Sequence, residues 1–435
     1  MQNLPATFET PARTHEFKLD NGLRIIVRED HRAPVVTSLV SYHVGASHEP
    51  PGLSGMSHAL EHLLFEGSAK LDAGQARKVY QYLGARSNAN TGHDATMFHQ
   101  TLAKDRLEVV LEIAADLMTG ATLSRQAFAA QMNVIKAERA QQVDSIPHAL
   151  AMERFLCQAF VMSAYRTPLI GWGQDLEQLT VESVRQWYQQ WYTPNNATVV
   201  VVGDVDPQQV LEMCQRHFAS IPARALPISP PPRELPAPGR RKTLLRLPGA
   251  APCLYLALNV PTHATYDNPR VINALRLIPA LMTDGLSARI NQRLLRGEEL
   301  LSAPRMNYLP FSRGDTVLHF SAQPNQTKGV SLLVLEKAVL KVLRSLVREP
   351  VTQVELDRAR TRLIASTVYE QDAIQTQAHR LAQLAAASLP LSLLQDEVEM
   401  LMQVTPADIT QAVRAWVNND HLSIAHILPK ETPHV

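Results

Sequence analysis

The chain has 435 residues, 45% of them hydrophobic and 19% charged, with a formal net charge of +1. That length exceeds one typical hydrophobic core and predicts two or more domains. The near-neutral charge, without a run of Lys and Arg, gives no electrostatic footprint for nucleic acid, and no apolar stretch is long enough to span a bilayer.

The opening "MQNLPATFETPARTHEFKLDNG" lacks a basic region followed by an apolar one, so it does not read as an uncleaved signal peptide. Cytoplasm and periplasm both fit. In "KLDNGLRIIVRED", Asn21-Gly22 stands between two apolar runs and predicts a hairpin turn. A second β-rich run follows from Pro34 to Ala46. Helical patterns then cover Ser54 to Glu66, Ala73 to Leu83, roughly Leu102 to Met118, and Ser124 to Gln142. Between them "SNANTGHDATMFHQTL", Ser87 to Leu102, is small and polar at its start and β-like near Met97-Phe98. Cys157, Cys214 and Cys253 have no short spacing and read as small buried residues, neither a disulfide framework nor a Cys-type zinc site.

The clearest seam is Ile221 to Thr243, with prolines at 222, 227, 230, 231, 232, 236 and 238. Such a segment cannot continue a helix or a central strand. Around it the chain repeats. Leu179 to Val202 can be laid without gaps on Val404 to Ile427, at an offset of 405 − 180 = 225 residues; Thr180 meets Thr405 and Trp191 meets Trp416. Each copy reads as a helix, a short turn and a strand. Strands and helices without regular alternation predict an α+β fold of two homologous domains, each an antiparallel sheet covered by helices. The expected boundaries are 1–222, a Pro-rich linker at 223–242, and 243–435.

Chemistry concentrates in "SGMSHALEHLLFEGS", Ser54 to Ser68. Ser54 can cap this helix, and Gly67 can end it in a left-handed turn. His58 and His62 are four apart and share one face, where two nitrogens can hold one zinc ion at about 2.0 Å each. Glu61 flanks that face and can take the proton of an attacking water. A lone histidine on a helix is usually an ordinary surface or core residue. Two, with an acid between them on an Ala/Leu-rich helix, are costly to bury without partners. A third ligand has to come from another element, leaving a fourth position open. By residue chemistry Glu138, His93, His99 and Glu153 all qualify.

The spacing His-x-x-Glu-His resembles the inverted-motif zinc peptidases of the pitrilysin or M16 family, in the short bacterial type similar to the mitochondrial processing peptidase. The resemblance extends over "NGLRIIV", "SNANTGHDATMF", "YRTPLIGW", "TPNNATVVVVGDVDP" and "GLSARINQRLL". It implies Zn2+ held by His58, His62 and a Glu placed 138 − 62 = 76 residues on, which selects Glu138, with Glu61 as general base. It also implies that a peptide adds a strand along Asn88-Ala89-Asn90-Thr91, a stretch that otherwise reads as a polar turn. Two departures stand out. The family often has an acid where this chain has Gln131, whose amide can hydrogen-bond to a ligand but carries no charge. Leu295 and Ser302 fall where single-type members have an Arg and a Tyr that help to hold substrate.

The sequence therefore predicts a zinc-dependent endopeptidase for short or unfolded peptides. The resemblance further implies that the chain is the zinc-bearing half of a heterodimer, rather than a homodimer, whose homologous second subunit would lack the zinc motif and supply the Arg and Tyr. The rival reading is a catalytically silent scaffold or peptide-binding subunit of the same fold, though such proteins usually have a damaged motif and all four residues are intact here.

Overall fold

The computed structural model describes residues 13–430. The first twelve, where the sequence shows no signal-peptide pattern, lie outside the described residues. The chain forms two compact units. One comprises the chain up to Val134, Leu169–Ser229 and Glu370–Ala386; the other comprises Ile135–Pro168, Pro230–Tyr369 and the chain from Ala387.

The first unit is built on six strands: β1 (Thr14–Lys18), β2 (Arg24–Glu29), β3 (Val35–Tyr42), β4 (Arg86–Thr91), β5 (Thr96–Ala103) and β6 (Ala197–Gly203). Their order across the sheet is β1-β2-β6-β3-β5-β4. The Asn21-Gly22 turn joins β1 to β2 as the sequence predicts, with Thr14 opposite Arg28 and Gly22 at φ +88°. The central strand β6, "ATVVVVG", is buried along its whole length, which suits a β-branched run with cover on both faces. Gly203 ends it because a Cβ there would meet the carbonyl oxygen of Val35 at 2.3 Å.

Helices α1 (Met56–Leu63), α2 (Gln75–Tyr82), α3 (Leu107–Gly120) and α4 (Arg125–Arg139) follow the predicted order, within narrower limits except that α3 runs on past Met118. The run expected from Leu102 begins as the end of β5, because its first residues pair with β3 at Val36↔Leu102 and Val35↔Ala103. Later come α5 (Pro147–Ala159), α6 (Gly173–Gln178), α7 (Val181–Trp191) and α8 (Pro207–Phe218).

The second unit has five strands, β7 (Arg241–Leu247), β8 (Cys253–Val260), β9 (Leu301–Asn307), β10 (Thr316–Pro324) and β11 (Leu422–Pro429), in the order β7-β11-β8-β10-β9. The remaining helices are α9 (Pro269–Met282), α10 (Leu332–Arg348), α11 (Gln353–Glu370), α12 (Ile374–Ala386), α13 (Ser392–Gln395), α14 (Glu397–Met402) and α15 (Pro406–Trp416). Both sheets are antiparallel except for one parallel pair each, β2 with β6 and β7 with β11. Removing β1 leaves the same strand order in both.

The 225-residue offset is structural as well. Thr180 and Thr405 each cap a helix, accepting from Ser183 N at 3.1 Å and Asp408 N at 3.3 Å, while residues 183 and 408 bond back to the capping residue. This reciprocal cap satisfies two otherwise orphaned amides. α7 and α15 are the same length, and each leads through a short 3-10 turn into β6 or β11.

The units differ from contiguous halves cut at the Pro-rich segment. α12, late in the chain, packs on β3 and β6; α5, early in the chain, packs on β7, β8 and β11. Hydrophobic side chains of α5, among them Ala151, Phe155 and Ala159, are buried against Tyr255, Ala257 and Ala425. Each sheet thus takes one cover helix from the other half of the sequence, and the compact units do not coincide with the expected limits 1–222 and 243–435. Residues 222–240 have no regular secondary structure. Cys214 and Cys253 are buried, Cys157 is half-buried, and all three are free thiols.

Candidate metal centre

The period of α1 sorts its residues onto two faces. Met56, Ala59, Leu60 and Leu63 are buried, and the Met and the two Leu side chains each contribute about 1.5–3 kcal/mol when fully removed from water. His58, Glu61 and His62 are left half-buried on the other face. The imidazoles of His58 and His62 lie with ring centroids 4.7 Å apart. Burial, and then the neighbouring His62, push the His58 pKa down to about 4, so that near neutral pH it is in the uncharged form that ligates metals.

α4 is one unbroken helix and carries Gln131 and Glu138 seven residues, about two turns, apart. Ligand atoms of His58, His62 and Glu138 all lie within 4.8 Å of one another, the one such group of His, Cys, Asp or Glu found among the described residues. Two imidazoles and a carboxylate are the donor set that zinc takes when a fourth position stays open. The residues fit the ion. His62 Nδ1 bonds the side-chain oxygen of Gln131 at 3.1 Å, which places the ring proton on Nδ1 and leaves Nε2 its lone pair. Gln142 donates to Glu138 at 3.0 Å.

The other third-ligand candidates are elsewhere. Glu153 accepts from the two terminal nitrogens, Nη1 and Nη2, of Arg139, each at 2.9 Å. His99 bonds Gln375 at 2.9 Å and faces His379. His93 lies in the turn between β4 and β5, where its carbonyl accepts from Ser47 N.

Asn88, Ala89, Asn90 and Thr91 belong to β4, a strand at the edge of its sheet and not the loop that their composition suggests. β4 pairs with β5 from Arg86↔Thr101 to Thr91↔Thr96, and its other edge has no strand partner among the described residues. The hydroxyl of Thr91 donates to the Glu61 carboxylate at 2.6 Å, tying the acid on α1 to the end of this strand. A cleft of about 610 Å3 opens here, lined by Glu61, His62, Phe65, Arg77, Tyr80 and Asn88 among others. The Arg77 guanidinium lies 4.9 Å over the Phe65 ring.

The start of α1 is held differently from the expected Ser54 cap. Ser54 donates its hydroxyl to Asp175 at 2.6 Å and accepts from Trp172 N at 2.8 Å. Gly55 takes the N-cap at φ +92°, where a Cβ would meet Leu176 at 2.7 Å and the Ile170 carbonyl at 2.9 Å. Glu49, absent from the sequence reading, does the capping. Its carboxyl accepts from Gly55 N and Ser57 N, both at 2.7 Å, satisfying orphan amides at the positive end of the helix dipole.

Burial pushes the Glu49 pKa up to about 7, against the pull of those amides. A carboxyl raised on folding contributes stability that is full below its ordinary value of 4.5 and is lost as pH rises through about 7. Between those limits this group is expected to lower the unfolding free energy by about 1.4 kcal/mol per pH unit. Glu49→Gln should flatten that slope in urea titrations repeated across the window. An identical slope in the variant would show that the carboxyl does not titrate there.

No helix among the described residues is long and apolar enough to cross a membrane. The family model described as Insulinase (Peptidase family M16) matches residues 24–171, and Peptidase M16 inactive domain matches residues 178–363. The zinc protease PqqE of Helicobacter pylori is 29% identical over 344 residues, spanning 78% of this chain and 76% of its own length. The crystal structure of a protease from Helicobacter pylori superposes with a TM-score of 0.88 at 25% identity, over 96% of this chain and 100% of the other. The periplasmic protease PqqL of Escherichia coli shares the fold at a TM-score of 0.80 and 18% identity, with 96% of this chain on 48% of that one. Two family models that together span most of the sequence, on a fold shared along its length, make the chain a member of peptidase family M16.

Proposed function

We propose that the chain is a zinc-dependent endopeptidase for short or unfolded peptides. The observation that carries this reading is the meeting of His58, His62 and Glu138, with Glu61 next to His62 and bonded to an edge strand. Zinc held by those three side chains would supply Lewis acidity toward a scissile carbonyl and toward water.

The protein's own residues account for the rest. β4 offers backbone N–H and C=O groups along its outer edge, so an extended peptide can join the sheet as a further antiparallel or parallel strand. Asn88, Ala89, Asn90 and Thr91 are small enough to let that backbone approach. Glu61 accepts the proton of the water whose oxygen attacks the carbonyl carbon. When the C–N bond breaks, the same carboxyl returns that proton to the leaving amine.

A homologous second subunit fits this reading. Leu295 and Ser302 stand where the family's substrate-holding Arg and Tyr would fall, and the nearby alternatives are engaged. Arg296 donates to the Leu286 carbonyl, and the hydroxyl of the half-buried Tyr308 donates to Pro261 O at 2.6 Å. PqqL, whose chain is about twice the length matched here, has room for two such halves.

The test is hydrolysis of a quenched-fluorescence peptide, with and without chelator, by this chain alone and mixed with a homologous subunit that carries the Arg and Tyr. Chelator-sensitive cleavage that rises on mixing is expected. Zinc uptake without cleavage in either arm would favour the silent peptide-binding reading, and full activity alone would remove the need for a partner.

A further inference from the structure

We infer that Glu66 is a positioning residue of the metal centre, setting the orientation of the Gln131 amide and through it the tautomer of His62. The inference rests on the zinc reading above but concerns a residue outside the ligand set. Gln131 Nε2 donates to Glu66 Oε1 at 3.0 Å, while Gln131 Oε1 faces His62 Nδ1 at 3.1 Å. Glu66 lies four residues after His62, just beyond the end of α1, and all three side chains are half-buried.

The two ends of a carboxamide are nearly the same shape, so packing alone does not choose between them. An ionised carboxylate accepts only. It therefore draws the NH2 end of Gln131 and turns the oxygen towards the imidazole. An oxygen at Nδ1 requires Nδ1 to carry the proton, leaving Nε2 as the metal donor. With the amide reversed, its NH2 would face Nδ1, the proton would move to Nε2, and that donor would be lost. The acid that Gln131 lacks is supplied one residue further out.

The test uses Glu66→Ala, Glu66→Lys and the double variant Glu66→Lys/Gln131→Glu. Lysine donates only, so it should reverse the amide; a carboxylate at 131 accepts from both lysine and imidazole and should repair the chain of bonds. Zinc affinity, measured by competition with a chromophoric chelator, is expected to fall ~10–100-fold in Glu66→Ala and at least as far in Glu66→Lys. The double variant should recover to within a few-fold of the parent. In the metal-free protein, ring 15N shifts should report the His62 proton on Nδ1 in the parent and on Nε2 in Glu66→Lys. Parent-like zinc affinity in both single variants, or a double variant no better than Glu66→Lys, would overturn the inference. A parent chain that takes up no zinc would instead overturn the peptidase reading, and the ring shifts would still decide what Glu66 does.

Discussion

Glu61→Gln is expected to keep a full equivalent of zinc while kcat falls by ~10²–10⁴. The substitution keeps the side chain's size, and its amide oxygen can still accept from the Thr91 hydroxyl that now sits 2.6 Å from the carboxylate. The position beside His62 and the end of β4 is therefore retained. What is lost is the capacity for the proposed proton transfer from water to the departing amine. KM should change little, because the substitution leaves untouched the edge strand proposed to bind the peptide. Peptide kinetics together with elemental analysis of the same preparation separate the two effects. Turnover near that of the parent would remove Glu61 from the chemistry, whereas loss of zinc along with activity would place it among the groups that build the site.

His58→Ala should behave in the opposite way. Among the described residues His58, His62 and Glu138 are the one group placed to grip an ion, and the substitution leaves one imidazole and one carboxylate. Affinity should drop by well over the ~10–100-fold that follows when a group merely supporting a ligand is removed. Zinc content after gel filtration should then fall below one equivalent, with cleavage lost in parallel. The fold should survive, because the side chain lies on the half-buried face of α1 while Met56, Ala59, Leu60 and Leu63 make its packing. A variant that retains tightly bound zinc would show that the ion is held elsewhere. Together the two substitutions distinguish a residue that acts on water from one that holds the metal.

Much of this centre was readable along the chain, because helical geometry is local. A separation of four puts His58 and His62 on one face wherever the helix forms, and Glu61 follows without reference to any other element. The Asn21-Gly22 turn is equally local, since it depends on the backbone freedom of two residues. The repeat could also be seen, because Thr180 and Thr405 each cap a helix using the residue three positions on. The proposed third ligand is a different case. By chemistry alone Glu138 competed with His93, His99 and Glu153, and only the family spacing chose among them.

The tertiary structure decided what depends on distant segments meeting. It brings the end of α4 to α1 across 76 residues of sequence, and it engages Glu153 with Arg139 instead. It makes Asn88 to Thr91 an edge strand, because pairing with β5 overrides a composition that by itself favours a turn. It replaces the expected Ser54 cap by Glu49, because Gly55 is the residue that fits against Ile170 and Leu176. It also gives each sheet a cover helix from the other half, which no local pattern could announce. Periodicity and capping are set by neighbours within a turn or two. Strand order, exchanged helices and the convergence of ligands are set by which buried surfaces fit together, and that is a property of the folded chain alone.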